Sequence, residues 1–315
     1  MTRYRERYEE IYGILSRAEL QKGSLGLEAL EAAPDLFGYD SDRWLGFYTL
    51  EGLEVALQRY GFFTDLNRLG FEQFRIEIRM DDPDEHLLRL WSTQPACDEP
   101  LIELVVRRNF LRATDELAER LELAFVPVLT VEWLLLQNPM AQFSPHRPPL
   151  PGQHHPGLGV GPQVLELLRN VCLRLKLAGI TTVPSYFHNA VFYSGEFKHF
   201  DPFWQGAFLA LCRDLIPRTG GSVCAASWAL RWTMVRNELQ EPPEPYPWFQ
   251  ELMLAPLSAP LKEYFAARDY QRDVQQSLTR HNFHLYEEAL RQNLESKGII
   301  PLAQNKVQQW VGEQP

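Results

Sequence analysis

The sequence predicts an α+β fold, with a mostly antiparallel mixed sheet, a central helix that begins at a glycine-rich turn, and a helical C-terminal region. Residues 74–80 alternate apolar and charged side chains, which is the period of a strand with one buried face. Residues 157–161 are rich in glycine and precede a stretch with helical apolar spacing. We expect two domains, an α/β core with N-terminal helices over residues 1–202 and a helical region over residues 203–315.

The first 67 residues are predicted to be mainly helical. In residues 4–18, apolar side chains recur at helical spacing among charged ones. Thr49 provides a start signal for a second helix, and Gly61 lies where a helix commonly ends. These helices are expected to precede the sheet.

The sheet is predicted from residues 68–200. A turn rich in aspartate and proline at residues 81–84 follows the alternating strand. The next three predicted strands are residues 86–93, 101–110 and 126–137. The last of these is nearly continuous in apolar residues, which is typical of a central strand covered on both faces. The charged residues 114–123 predict either a short helix or a long hairpin arm.

A long loop and a helix follow the central strand. Seven prolines between Pro139 and Pro162 predict an extended loop, because proline neither donates to a strand ladder nor fits inside a helix. Loops of this length are often functional. A helix is predicted over residues 162–178, with Pro162 at its first position and Gly179 just past its end. Residues 180–187 are predicted to form the next strand.

The C-terminal region is predicted to be mainly helical. Residues 203–215 and 223–235 are apolar enough for core helices, and residues 242–247 form a stiff proline-rich linker. From residue 261 the chain is polar with a helical pattern, and it includes an amphipathic stretch at 282–293. The sequence assigns no function to this region.

The composition excludes several classes of protein. A formal net charge of −10 argues against a general nucleic-acid binder, which carries a basic face. The four cysteines form no C-x-x-C pair, so we expect reduced thiols rather than a zinc or redox motif. Apolar stretches such as residues 126–136 are too short for a membrane span, and the charged N-terminus does not resemble a signal peptide. We therefore expect a cytoplasmic protein with no nucleic-acid and no membrane partner.

The strongest functional signal is the glycine-rich turn at residues 152–161, which opens the helix and includes Gly157, Gly159 and Gly161. Its glycines remove side chains where backbone amides and the positive end of a helix dipole face outward, a geometry that binds phosphate. Arg147, His154 and His155 add local donors within the same loop. The turn has no Gly-Lys-Ser/Thr and is not Gly-x-Gly-x-x-Gly, so neither a P-loop nor a dinucleotide-binding fingerprint is predicted. The alternative is that the glycines only make a tight turn.

The order of the predicted elements resembles that of the GNAT N-acetyltransferases. Antiparallel strands, a central strand, a Gly-x-Gly turn, a helix and a further strand follow one another over the residues that predict the sheet. The family's pyrophosphate signature is Gln/Arg-x-x-Gly-x-Gly/Ala. Gly157 and Gly159 match its glycine pair, and His154 stands where Gln or Arg is expected. Residues 189–197, which include Tyr193, look like the family's Asn…Ala…Tyr…Gly-Phe segment with a compressed spacing.

The resemblance implies an acyl-CoA-dependent N-acyltransferase, with acetyl-CoA or another acyl-CoA as co-substrate and a small-molecule or peptide amine as acceptor. The implied contacts with the CoA pyrophosphate are His154, Gly157, Leu158, Gly159, Val160 and Gly161. The resemblance also implies Tyr193 as the acid that protonates the departing thiolate, and Glu132 as the base that deprotonates the amine. Two other interpretations stay open: Glu132 as the partner of a nearby arginine, and Tyr193 as a packing residue.

Two other functions also stay open. The departures from the family motifs fit a non-catalytic ligand- or partner-binding protein with a degenerate acyltransferase fold. A metal-dependent hydrolase would need histidines and a carboxylate that converge on one ion. The candidates for such a site are His146, His154, His155, His188, His199 and Asp201. No His-Glu-x-x-His is present, so we assign no metal ligand.

Overall fold

A computed structural model of the chain describes residues 4–23, 43–82, 85–95, 97–113, 124–242 and 244–300. Its fold is α+β, with several helices and a mostly antiparallel mixed sheet. The chain divides into two compact units, the first of residues 1–140 and 157–180 and the second of residues 141–156 and 181–315. Both units are discontinuous in sequence, whereas the two domains predicted from the sequence meet at a single boundary after residue 202. The predicted helix or hairpin arm at residues 114–123 lies outside the described residues.

The first unit begins with short helices, which in the described residues are α1 Arg5–Ile14, α2 Arg17–Leu20, α3 Leu50–Arg59 and α4 Phe62–Arg68. The helix predicted over residues 4–18 is interrupted before α2. The reason is a capping box, in which the Ser16 side chain accepts from the Glu19 amide and the Glu19 carboxylate accepts from the Ser16 amide. Thr49 caps α3 through its side chain, as predicted. Gly61, at the junction of α3 and α4, has a φ of +73°.

Antiparallel strands form the sheet of the first unit, namely β1 Phe74–Asp82, β2 Glu85–Ser92, β3 Ile102–Arg112 and β4 Phe125–Leu136. All of them were predicted from the sequence. In β2 every second side chain is buried, which is the alternation of a strand with one covered face. The register of β3 and β4 shifts after Val105, which leaves Glu132 as an extra residue in a β-bulge of β4. The next strand, β5 Gly179–Thr182, lies beside β4.

The central helix, α5 Gly161–Arg174, was predicted to continue for another turn. It ends early because Lys176 adopts the left-handed conformation, with a φ of +56°. The amide of Leu177 then donates to the carbonyl oxygen of Cys172, which is a Schellman ending. Gly179 was predicted just past the helix end, but it is the first residue of β5.

Polar contacts that include a buried charge hold α5 against α1. Nη2 of Arg5 lies 3.1 Å from Oε1 of Glu166, whose side chain is only 4% exposed. Nδ2 of Asn170 donates to the carbonyl oxygen of Tyr8 and to the hydroxyl of Tyr60. Because these groups are directional and buried, they fix the position of α5 relative to α1.

The second unit contains both helices and short strands. Its helices in the described residues are α6 Phe187–Tyr193, α7 Pro202–Arg218, α8 Val223–Arg231, α9 Ala259–Ala266, α10 Arg268–Thr279 and α11 Glu287–Ser296. After β5, the chain forms the strands β6 Lys198–His199, β7 Val235–Asn237, β8 Met253–Pro256 and β9 Phe283–Leu285. β6 pairs with β8, and β7 pairs with β9, both in the antiparallel direction.

The strand predicted over residues 180–187 is shorter in the structure. β5 ends at Thr182, and Pro184 follows in irregular backbone because it has no amide to donate to a ladder. Helix α6 then begins after Tyr186. The segment that resembles the acyltransferase family, residues 189–197, therefore lies on α6 and the turn that follows it.

The C-terminal region is mixed rather than purely helical, and two predicted helices are shorter than expected. The helix predicted over residues 223–235 ends at Arg231, because Thr233 takes a φ of +55° and the amide of Met234 donates back to Ala229. The amphipathic stretch that was predicted at 282–293 contains β9 before α11 begins.

Candidate functional site

The glycine-rich turn alternates buried side chains with glycines. The side chains of Leu158 and Val160 are 1% and 2% exposed, and they anchor the turn in the core of the first unit. Gly157 and Gly161 are half-buried, and Gly159 is exposed. The outer face of the turn is therefore formed by glycine backbone.

One amide of the turn is used inside the protein. The N–H of Leu158 donates to the carbonyl oxygen of Leu136 at the end of β4, with an N–O distance of 3.1 Å. Gln137 and Gly157 form an isolated antiparallel bridge at the same point. The turn is thus attached to the end of the central strand by main-chain contacts.

The next three amides are free. Within the described parts of the chain, the amides of Gly159, Val160 and Gly161 have no hydrogen-bond acceptor. They precede the first hydrogen-bonded turn of α5, where helix amides lack intrahelical partners. No side chain in the described residues caps this helix, and its first turn carries no acidic residue. The positive end of the helix dipole is therefore left for an external anion.

The space in front of the turn is open at its centre. A Cβ placed on Gly159 would meet no atom within 4 Å in the described structure. A Cβ on Gly157 would lie 3.9 Å from the carbonyl oxygen of Leu136, which is an ordinary contact. Gly159 has a φ of +80°, so the backbone conformation and not crowding favours glycine there.

Glu132, the base implied by the resemblance, forms an ion pair. Its Oε1 lies 2.6 Å from Nε of Arg107 on β3, and the two side chains are 34% and 32% exposed. An arginine partner for Glu132 is one of the two interpretations that the sequence leaves open. The partner itself could not be identified, because the bulge at Glu132 sets which β3 side chain it faces.

Tyr193, the implied acid, is the last residue of α6 in the second unit. Its ring packs against Phe197, with 5.7 Å between the ring centroids. Burial raises the pKa of the Tyr193 hydroxyl, so the phenol carries its proton at neutral pH. Such a group can donate a proton, and its surroundings also fit the packing role that the sequence left open.

The loop before the turn belongs to the second unit as far as Pro156, whereas residues 157–161 belong to the first. His154 is exposed in this loop, and His155 is half-buried. Arg147 exchanges main-chain hydrogen bonds with Ser144 in a local turn. The contact between His154 and a pyrophosphate stays a prediction.

Two of the histidines considered for a metal site have separate, buried surroundings. Nδ1 of His188 lies 2.8 Å from Oγ of Ser227. His199 is fully buried near the rings of Phe208 and Phe249, at centroid distances of 5.6 and 5.5 Å. Burial lowers the pKa of His188 to about 3 and that of His199 to about 4, so both rings are neutral at pH 7.

Two other candidate ligands have other surroundings or roles in the described structure. Asp201 caps α7, with its Oδ1 accepting from the amide of Phe203 at 2.8 Å, and His146 is exposed in the loop. In the ranges that the structure describes, no group of three His, Cys, Asp or Glu side chains is placed to hold a metal ion. All four cysteines are free and buried. The geometry gives the metal-hydrolase alternative no support.

The hydrogen-bonded pair of His188 and Ser227 was not identified from the sequence. The two residues are on α6 and α8, and no motif links them. They are 3% and 2% exposed, so the serine is not accessible as a nucleophile for a substrate in solution. We interpret the pair as a satisfied buried hydrogen bond.

Neither a comparison with known protein families nor a comparison with curated protein sequences gives a match for this chain. No helix in the described ranges is both long enough and apolar enough to cross a membrane.

Proposed function

We propose that the chain is an acyl-CoA-dependent N-acyltransferase that binds acetyl-CoA or another acyl-CoA through the glycine-rich turn. The observation that carries the proposal is the run of amides at Gly159, Val160 and Gly161, which have no acceptor in the described chain, in a turn where Gly159 is exposed and Gly161 half-buried. A pyrophosphate offers several oxygen acceptors and negative charge to such a row at a helix N-terminus.

The order of the elements supports the same proposal. The strand β4, the loop, the helix α5 and the strand β5 follow one another in the order that the resemblance to the GNAT N-acetyltransferases implies. Glu132 lies at a β-bulge, a feature that redirects a side chain relative to its neighbours in a strand.

The proposed reaction is a direct acyl transfer. A neutral amine attacks the thioester carbonyl, so that a C–N bond forms and the C–S bond breaks. The amine proton passes to the carboxylate of Glu132, and the CoA thiolate receives the hydroxyl proton of Tyr193. Burial raises the pKa of Tyr193, so the hydroxyl is protonated at neutral pH and releases its proton only to a strong base such as a departing thiolate. Orientation of the two bound reactants supplies a large part of the acceleration.

The ion pair between Glu132 and Arg107 favours a second candidate, a non-catalytic protein that binds an acyl-CoA or a related anion. A base in this position has to exchange Arg107 for the amine before it accepts a proton. In the second candidate the turn holds the ligand, and no acyl group is transferred.

Isothermal titration with CoA and acetyl-CoA tests the binding step that both candidates share. We expect both ligands to bind with one site per chain, and we expect inorganic pyrophosphate to compete with them. If neither CoA nor acetyl-CoA binds at millimolar concentration, the acyltransferase candidate is wrong, and if inorganic pyrophosphate does not bind either, the second candidate is wrong as well.

Glu132→Gln and Tyr193→Phe then separate the two candidates. With an amine acceptor found by screening with labelled acetyl-CoA, each variant should lower the acylation rate by about a hundredfold and leave CoA binding unchanged. Glu103→Gln is a matched control, because Glu103 is an ion-paired glutamate on β3. Binding without acylation of any amine would support the non-catalytic candidate. Wild-type acylation rates in both variants would show that catalysis does not run through Glu132 and Tyr193.

A further inference from the structure

Strand β1 has an edge that is not covered by another strand in the described residues. The strand is 9 residues long and comes first in the order β1, β2, β3, β4, so its strand neighbour lies on one side alone. Long exposed edges are templates for pairing with another chain, and proteins that have to avoid such pairing shorten or block them. The edge of β1 is therefore a candidate interaction surface.

The backbone of β1 presents unused hydrogen-bonding groups along this edge. The amide of Thr93 donates to the carbonyl oxygen of Gln73, so Gln73 and every second residue after it face β2 through their main-chain groups. The intervening residues Phe74, Ile76 and Ile78 point their N–H and C=O groups away from β2. Within the described chain these groups have no hydrogen-bond partner. An added strand would satisfy them in a continuous ladder.

The apolar face of the sheet continues up to this edge. Ile76 lies opposite Leu90 and Ile78 lies opposite Leu88, and both leucines are buried. Phe74, Ile76 and Ile78 are only half-buried. A strand added beside β1 would cover these side chains further, which adds apolar burial to the main-chain hydrogen bonds.

The other face of β1 carries charges of alternating sign, namely Arg75, Glu77 and Arg79. Oε1 of Glu77 lies 2.7 Å from Nε of Arg79, and the Arg75 guanidinium lies over the Trp91 ring. Charges of one sign along the edge would repel a second copy of the same strand in every register. Alternating charges repel it only in some registers, so their positions determine which register two copies can adopt.

Two copies of β1 can pair only in registers where the outward-pointing residues face one another, because the main-chain groups of the other residues are bonded to β2. A two-fold axis at Glu77 meets this condition, but it sets two glutamates against each other and Arg75 against Arg79 of the second copy. An axis at either arginine likewise places two arginines face to face. Like charges directly opposite are destabilising, so these registers are disfavoured.

A two-fold axis at Ile76 brings opposite charges together. Arg75 of each copy then lies opposite Glu77 of the other, and Phe74 lies opposite Ile78. The Ile76 residues of the two copies exchange two main-chain hydrogen bonds at the axis. An axis at Ile78 also pairs opposite charges, but it needs the end of β1, where the register with β2 shifts.

We propose that the chain forms a two-fold dimer in which β1 pairs with β1 of a second copy, antiparallel and with Ile76 at the axis. The sheet of the first unit then continues from one copy into the other. β2 and β3 lie between β1 and β4, so this surface does not include the glycine-rich turn, and the inference is independent of the proposed function.

Sedimentation equilibrium of the full chain tests whether the dimer exists. We expect a monomer–dimer equilibrium with a dissociation constant of about 1–100 µM, because a single pair of strands is at the small end of specific interfaces. A protein that stays monomeric up to millimolar concentration would overturn the proposal.

Ile76→Pro tests whether the edge of β1 is the contact. The Ile76 amide points away from β2, so proline removes a donor to the second copy and none to β2. Both hydrogen bonds at the axis are lost, and the dissociation constant should rise by about tenfold or more. A thermal melt checks that the variant is folded. If the folded variant dimerises as the wild type does, the contact lies elsewhere and the proposal is wrong.

Glu77→Arg tests the charges, and it is the second variant if the proline variant does not fold. It places an arginine opposite Arg75 twice in the dimer and should raise the dissociation constant by about tenfold. Glu103→Arg is the matched control, because Glu103 lies on the same face of the sheet with 22% of its side chain exposed, against 26% for Glu77. Glu103 is on β3, away from the edge, so this control should leave the dissociation constant unchanged.

The double variant Arg75→Glu with Glu77→Arg tests the register. It exchanges the two charges, so each still lies opposite a charge of the other sign when the axis is at Ile76. The dissociation constant should therefore return to within about threefold of the wild-type value. Dimerisation of the double variant as weak as that of Glu77→Arg, or equal weakening by Glu103→Arg and Glu77→Arg, would contradict the proposed pairing.

Discussion

The amide of Leu158 and the carbonyl oxygen of Leu136 are joined by a hydrogen bond of 3.1 Å, which ties the glycine-rich turn to the end of β4. The side chain of Leu158 is buried as well, so both its backbone and its side chain fix the turn. The three amides that follow are held in place before any ligand arrives. A preorganised row of donors loses little conformational entropy on binding, which favours recognition of an anion by main-chain groups.

A charge placed at Gly159 tests this arrangement directly. Aspartate and asparagine both tolerate a positive φ better than other side chains, and a Cβ at this position meets no atom within 4 Å in the described structure. Gly159→Asp should weaken CoA binding by about tenfold or more relative to Gly159→Asn, because only the aspartate repels the pyrophosphate. Isothermal titration of both variants gives the comparison.

The asparagine variant is the control for shape and strain. Thermal melts should show a loss of stability on the order of 1 kcal/mol in the asparagine variant, from the left-handed backbone conformation. The loss should be smaller in the aspartate variant, because its charge lies at the positive end of the helix dipole. Equal CoA affinity in the two variants would show that the pyrophosphate does not lie against this turn.

Elements of secondary structure could be predicted from the sequence where neighbouring residues determine them. The alternation of β2 and the Thr49 cap of α3 are set by neighbouring residues and were read correctly. The C-terminal ends of α5 and α8 were predicted incorrectly, because Lys176 and Thr233 adopt left-handed conformations that glycine normally takes. That conformation costs about 1–2 kcal/mol for such residues, and packing by the rest of the chain has to offset it.

In the candidate site, the position of the turn could be predicted from the sequence, and the partners of its side chains could not. Glycine spacing and the Pro162 signal located the turn and the start of α5 to within one residue. The partner of Glu132 was not predictable, because a bulge alters which side chain of β3 it faces, and a bulge leaves no fixed mark in the sequence. Contacts between distant helices, such as that of His188 with Ser227, were equally hidden.

Two ion pairs of the first unit should differ in their contribution to stability. Glu166 is 4% exposed and faces Arg5, so Arg5→Met leaves a buried carboxylate without this partner and should lower the free energy of unfolding by about 3 kcal/mol. Arg107→Met breaks the half-exposed pair with Glu132 and should cost less than about 1 kcal/mol. Urea denaturation of both variants measures the difference. Similar losses would mean that burial does not distinguish the two pairs.

Close packing of α7 against α10 requires glycine at position 206. A Cβ there would lie 2.5 Å from the carbonyl oxygen of Val274 and 2.5 Å from Cβ of Ser277. Gly206→Ala should therefore destabilise the protein by about 2 kcal/mol or more, although alanine is the better helix former. Gly195→Ala is the control, since its Cβ meets no atom within 4 Å in the described structure. A melting temperature for Gly206→Ala equal to that of the control would mean that the helices are not this close.

Buried neutral histidines should make the protein less stable in mild acid. Burial lowers the pKa of His199 from 6.5 to about 4, and that of His188 from 6.5 to about 3. Below pH 6.5 these two rings bind protons in the unfolded chain but not in the folded chain. The free energy of unfolding is therefore highest above pH 6.5 and falls as the pH decreases towards the folded pKa values. Each histidine should cost about 2 kcal/mol at pH 5 relative to pH 7.

His199→Phe isolates one of these contributions. The ring nitrogens of His199 have no hydrogen bond in the described chain, although the main chain of Glu251 is close enough to raise its pKa slightly against the larger effect of burial. Phenylalanine fits the aromatic surroundings and cannot bind a proton, so this variant should lose about 2 kcal/mol less than the wild type between pH 7 and pH 5. Phe249→Leu, in the same cluster, should lower stability equally at both pH values. Urea denaturation at pH 7 and pH 5 measures the free energy of unfolding of the wild type and of each variant. If His199→Phe and the wild type have the same pH dependence, the His199 ring of the wild type is protonated in the folded state as readily as in the unfolded state.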